Sequence, residues 1–141
     1  MSETKSARLA SVNVPEWPAP KGYANGVVAT GRTLYVAGQV GWNEQHEFPS
    51  DDLAEQFGAA LDNVLAVVRA AGAAPTDVAR MLIYVTDLEA YRASQKRLGP
   101  IWRERFGRHY PAMALVGVTG LVEVKAKVEI EAIAVLPEER G

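Results

Sequence analysis

Among the residues able to move a proton, the densest arrangement is Lys127, Glu129 and Glu131, which alternate with Val128, Ile130 and Ala132 near the end of the chain. A period of two is that of a β-strand, so the charged side chains share one face and the apolar ones the other. From spacing alone the charged set reads as a solvated ladder. A carboxylate such as Glu129, held where water is partly excluded, would suit a general acid or base.

Other candidates are weaker. His109 precedes Tyr110-Pro111 and, being a histidine, reads as an acid or base or, more plainly, as a loop residue. His46 lies in a polar loop with Glu44 and Glu47, but no second His or Cys completes a zinc pattern, and no metal site is expected. With no cysteine there is no thiolate nucleophile and no disulfide, which suits a reducing cytosol. Neither a Gly-x-Ser-x-Gly elbow nor a Walker or Rossmann glycine pattern occurs, so no serine triad, phosphate loop or cofactor is expected. A net charge of -2 gives no footprint for a polyanion, which argues against a nucleic-acid partner.

The elements that must position these residues fit one domain, 1–141, since 141 residues at 48% hydrophobic content make a single continuous core. The first ~8 residues carry mixed charge with no apolar stretch behind them; they read as neither signal peptide nor anchor and are expected to be disordered. No window approaches the ~18 to 20 apolar residues of a membrane span. Leu9 to Val14, Val27 to Thr30 and Leu34 to Val40 read as strands, with Gly31-Arg32 as a hairpin loop between the second and third. After a polar loop from Gly41 to Pro49, the residues Ser50, Asp51 and Asp52 offer N-cap oxygens. Phe57, Leu61, Val64, Leu65 and Val68 then form one stripe of a helix running from Leu53 to near Gly72.

Val78 to Thr86 reads as a strand, and Asp87 as the cap of a second helix carrying Leu88, Tyr91, Leu98, Trp102 and Phe106. Gly99-Pro100 should kink or break that helix, because an interior proline loses a hydrogen bond at a cost of ~3 kcal/mol. Strands Ala112 to Thr119 and Ala126 to Leu136 finish the chain. The order β-β-β-α-β-α-β-β is that of an α+β fold, two helices covering one face of a sheet. The other face then needs a partner or a polar surface.

Gly22-Tyr23, Tyr35-Val36-Ala37-Gly38-Gln39-Val40, Tyr84-Val85-Thr86-Asp87-Leu88, Tyr110-Pro111-Ala112-Met113-Ala114-Leu115-Val116 and Val128-Glu129-Ile130-Glu131-Ala132 together resemble the RidA (YjgF/YER057c/UK114) family of small enamine and imine deaminases. The resemblance spans about Val14 to Val135. It implies a mixed sheet with two helices on one face, similar to chorismate mutase folds, and a homotrimer with ligand clefts between subunits; a cytoplasmic location is the expectation from the absence of cysteine. It implies that Glu129 positions the water that attacks an imine carbon and that the Tyr23 hydroxyl lines the cleft. The Gly38-Gln39 step would shape backbone beside it, and Gln95 would stand near a family asparagine. A ribonuclease activity, sometimes attached to this family, gets no support from charge.

One departure matters most. Family members carry an arginine after the Pro-Ala pair, gripping the substrate carboxylate, and here that position is Met113. A thioether has neither charge nor donor, so it cannot replace a guanidinium fork. Met113 shares a strand face with Leu115 and Gly117, which makes this wall apolar, although a plain core methionine is an equal reading. Serine, common in the family, is replaced by Ala37. Trp42, where relatives commonly have a proline-containing turn, would wall a pocket or pack beneath the helix. Arg92, Arg97 and Arg108 are the arginines to examine as replacements for the missing clamp. Two functions follow: an enamine or imine deaminase acting on a substrate without a free carboxylate at the imine carbon, or a trimeric small-molecule-binding or chaperone-like protein that has kept the fold without catalysis.

Overall fold

The computed structural model describes residues 8–138. The expectation of a disordered N-terminus concerns residues that, apart from Arg8, lie outside that range. Arg8 itself is engaged: its guanidinium pairs with buried Asp77 at 2.7 Å and donates to the Val135 carbonyl at 3.0 Å.

Strands β1 (Leu9–Val12) and β2 (Gly26–Ala29) form an antiparallel pair of their own. The main sheet has the order β3 (Thr33–Val40), β6 (Val128–Val135), β4 (Val78–Val85), β5 (Ala112–Gly117), antiparallel except for the parallel β4–β5 pair. A parallel pair needs a long crossover, and here two helices supply it, α2 (Leu88–Ala93) and α3 (Gln95–Phe106). The remaining helix, α1 (Leu53–Ala70), joins β3 to the turn before β4.

The expected β2–β3 hairpin does not form. β2 pairs with β1, while β3 pairs with β6 and is tied there by the Leu136 N–H donating to the Arg32 carbonyl at 2.8 Å. Gly31 is needed for a different reason than a hairpin: it has φ +137°, and a Cβ there would stand 2.7 Å from Val135 Cγ1. The expected break at Gly99-Pro100 is also displaced. Pro100 lies inside α3, and the helix instead breaks at Ser94, whose hydroxyl donates to the Ala90 carbonyl at 2.7 Å while its N–H bonds Tyr91 in a tighter turn. A serine that takes a carbonyl from the preceding turn competes with the helix ladder and bends the chain. Among the described residues, three α-helices therefore stand where two were expected.

The stripe on α1 buries Phe57, Leu61, Val64, Leu65 and Val68 against Met81, Ile83 and Val85 of β4, Val128, Ile130 and Ala132 of β6, and Leu98, Trp102 and Phe106 of α3. Asp52 is the cap that α1 uses, accepting the Glu55 N–H at 3.0 Å. Gln56 is buried yet fully satisfied: its amide nitrogen donates to the Ser50 and Lys125 carbonyls and its oxygen accepts the Lys127 N–H at 2.7 Å. This fixes where β6 begins, and hence which face Glu129 occupies. All helices lie on one side of the sheet; Tyr35, Leu82, Tyr84, Ile133 and Val116 lie on the other, with Tyr35 76% exposed.

Candidate functional site

On the helix side, a cavity of about 460 Å³ lies between β5, α3 and the segment Lys21–Tyr23. Met113 and Leu115 reach it because the β4–β5 register sets them beside Met81 and Ile83, which face the helices. From α3, Gln95, Gly99 and Arg103 stand at successive four-residue steps, one face of a helix. Trp102 and Tyr110 form an aromatic wall, their rings nearly parallel at 6.0 Å, and the Trp102 indole donates to the His109 carbonyl at 3.1 Å. His109 also sets its Nε2 2.7 Å from the Val78 carbonyl, so its role is to anchor this segment.

Tyr23 reaches the cavity because Ala24 bridges β5 at Ala112 and donates its N–H to the Pro111 carbonyl at 3.0 Å. Gly22 turns the chain there with φ +78°, a conformation that favours glycine. Tyr23, Gln95, Met113 and Leu115 are thus brought together. Met113 is half-buried against the core, as expected of a core methionine, and also borders open space.

Glu129 stands elsewhere. It is half-buried on the sheet face away from the helices, over Gly38, where any Cβ would overlap its Oε2. The register of β3 and β6 shifts at this point, so that Ala37 and Gly38 together oppose Glu131. Such a bulge re-aims neighbouring side chains. Among the described residues the Glu129 carboxylate has no hydrogen-bond or ion-pair partner, Lys127 included. Glu131, by contrast, accepts the Tyr84 hydroxyl at 2.8 Å, a bond that raises the pKa of that phenol.

Gln39 bonds the Ala37 carbonyl at 3.1 Å, and neither it nor Gly38 lines the cavity. Trp42 does not line it either; its ring stacks on His46 at 3.9 Å and its carbonyl accepts the Asn63 amide. Of the three arginines considered as replacements, Arg92 pairs with Glu89, Arg97 grips Asp52 bidentately at 2.8 and 2.9 Å, and Arg108 is absent from the lining. The arginine that does line it is Arg103, together with Lys21. The four-residue step from Gln95 through Gly99 was the sequence signal for it.

Residues 15–136 match the family model described as Endoribonuclease L-PSP. A 2-iminobutanoate/2-iminopropanoate deaminase of Dermatophagoides farinae is 32% identical over 126 residues, covering 89% of this chain and 94% of that protein. The chain belongs to the RidA (YjgF/YER057c/UK114) family. Its E. coli K12 relative of the same deaminase name is 32% identical over 130 residues, covering 92% and 98%. A Yersinia pestis structure, the Rid-family protein YyfB of unknown function, superposes with a TM-score of 0.82 at 34% identity, covering 92% of this chain and 100% of that one. The mixed sheet with helices on one face is thus the RidA fold. Among the described residues, no helix is long and apolar enough to cross a membrane.

Proposed function

We propose that this RidA-family chain hydrolyses an imine or enamine whose reacting carbon bears no free carboxylate, releasing ammonia and the corresponding carbonyl compound. The observation that carries the reading is Glu129: a half-buried carboxylate, unpartnered, on a site cleared by Gly38. The deaminase names of relatives at 32% identity support the reaction class.

In this mechanism Glu129 accepts a proton from water as the oxygen bonds to the imine carbon. Starting from the protonated imine, the resulting tetrahedral carbon carries OH and NH2; the carboxyl passes its proton to nitrogen, the C–N bond breaks as ammonia leaves, and C=O forms as the hydroxyl proton passes to the Glu129 carboxylate and on to the ammonia, which departs as ammonium. One water is consumed and one ammonia released. A general acid–base of this kind contributes about 10² to 10⁴ in rate. Met113 and Leu115 supply apolar contact instead of a clamp, so small amino-acid-derived imines lose their charged anchor.

A homotrimer completes the reading. The open sheet face carrying Tyr35, Val116 and Glu129 would meet a neighbouring subunit, and a cleft there would combine Glu129 of one chain with the Tyr23–Met113 wall of the next. The test is ammonia release by purified protein supplied either with 2-aminoacrylate generated in situ or with a ketone-derived imine. Turnover of the second and not the first supports the proposal; efficient turnover of 2-aminoacrylate overturns the substrate assignment. A non-catalytic binding module is the second reading, favoured by the placement of Glu129 and the cavity on opposite faces of one chain's sheet. Ligand binding with no ammonia from any imine would establish it.

A further inference from the structure

The cavity has a charge pattern that the apolar wall does not explain. Two cations, Lys21 and Arg103, line it, and no aspartate or glutamate does. The other arginines of α2 and α3 are each occupied: Arg97 by Asp52, Arg92 by Glu89, and Arg105 by Asp62 at 2.8 Å and by the Ile101 carbonyl. Arg103 and Lys21 have no ion pair among the described residues.

The helix also makes room for this guanidinium. Gly99 precedes Arg103 by one turn, and a Cβ there would come within 3.2 Å of Arg103 Nη1. The Arg103 head thus lies along α3 beside Gly99, among the residues lining the cavity. Met113, Leu115 and Trp102 line the same cavity and offer apolar contact and no competing charge. An exposed guanidinium that lines a cavity with no acid among its lining residues is suited to an anion arriving with a ligand.

We propose that Arg103, assisted by Lys21, is the anion-binding end of this cavity, and that its ligand is an amphiphilic carboxylate: an apolar body against Met113, Leu115 and Trp102, with the carboxylate at the guanidinium. This rests on the reading of the cavity as the substrate wall, and it narrows the substrate class. The reacting carbon bears no carboxylate, but the molecule carries one at its far end. The clamp lost from β5 is thereby replaced from α3, at a different point on the substrate.

The test is binding, not turnover. Matched pairs of ω-aryl and ω-alkyl carboxylates and their carboxamides, with two to four methylenes between body and head, are titrated calorimetrically into the full-length protein. The carboxylates should bind about tenfold or more tighter than the amides, the size of one charge-assisted contact. The preference should shrink as salt rises. Arg103→Gln should abolish it, Arg103→Lys should keep part of it, and Arg92→Gln, outside the cavity, should leave it unchanged. Equal binding of acid and amide, a preference that survives Arg103→Gln, or no binding by any pair overturns the proposal. Because no chemistry is read, failure here is distinct from failure of the deaminase reading, which shows only as absent ammonia.

Discussion

On the helix side of the sheet, Met113, Leu115 and Trp102 border a cavity whose walls are fixed by packing against the core, whereas on the other side Glu129 stands among half-exposed strand residues with Gly38 cleared beneath it. The first region is determined by apolar burial, so its residues serve stability and ligand shape together. The second is determined by register alone. Gln56 sets the start of β6, the bulge at Ala37-Gly38 sets the spacing, and the Glu129 carboxylate is left without a partner among the described residues. A side chain without a partner among the described residues that stands partly out of water is where a chemical role separates from a structural one.

Substitutions on the two sides should therefore have opposite signatures. Trp102→Ala should be the largest effect, destabilising by about 3 to 5 kcal/mol in denaturant titration because it empties a buried aromatic site. Glu129→Gln should leave the midpoint within about 0.5 kcal/mol of the parent and lower ammonia release by about 100-fold or more. An equal stability loss in both variants would remove the distinction between the faces. Met113→Arg sharpens it from the cavity side: a guanidinium in that half-buried position should raise turnover of 2-aminoacrylate about tenfold, the worth of one charge-assisted contact. No gain would indicate that the cavity does not border the reacting carbon.

The smallest effect belongs to neither face. Asp52 has its pKa lowered, first by the hydrogen bond from Arg97 and then by the Glu55 N–H. A lowered folded value means that this contribution is present above the ordinary aspartate range and is lost as the carboxyl protonates, so stability should fall as pH drops below ~4. Asp52→Ala should cost about 1 kcal/mol, nearly all of it the helix cap, since an exposed ion pair adds little. Thermal melts at neutral and acid pH check both statements, and the variant should narrow the difference between them.

How far the sequence foretold this depends on the kind of signal. The α1 stripe and the alternation Lys127 to Ala132 were legible because one amphipathic period spans each whole element. The break between α2 and α3 was misplaced because Pro100 is a conspicuous breaker and Ser94 is not, while the hydroxyl contact with Ala90 decides the matter. The pairing of β2 with β1 and of β3 with β6 was not legible, since chain proximity favours a hairpin and long-range contacts override it. Tyr23, Gln95, Met113 and Leu115 were proposed together and meet in one cavity, but strand parity already assigned Glu129 to the opposite face. Arg103 was overlooked because its significance depends on which arginines already have carboxylate partners, a fact that only the folded chain displays.

The central claim is that Glu129 activates water for an imine whose carbon bears no carboxylate. Its most direct test is the ratio of ammonia-release rates for a ketone-derived imine and for 2-aminoacrylate, measured on the parent protein and on Glu129→Gln. The account predicts a ratio well above one for the parent and loss of both activities in the variant. A parent that prefers 2-aminoacrylate, or a variant that retains parental turnover of the ketone-derived imine, would contradict it.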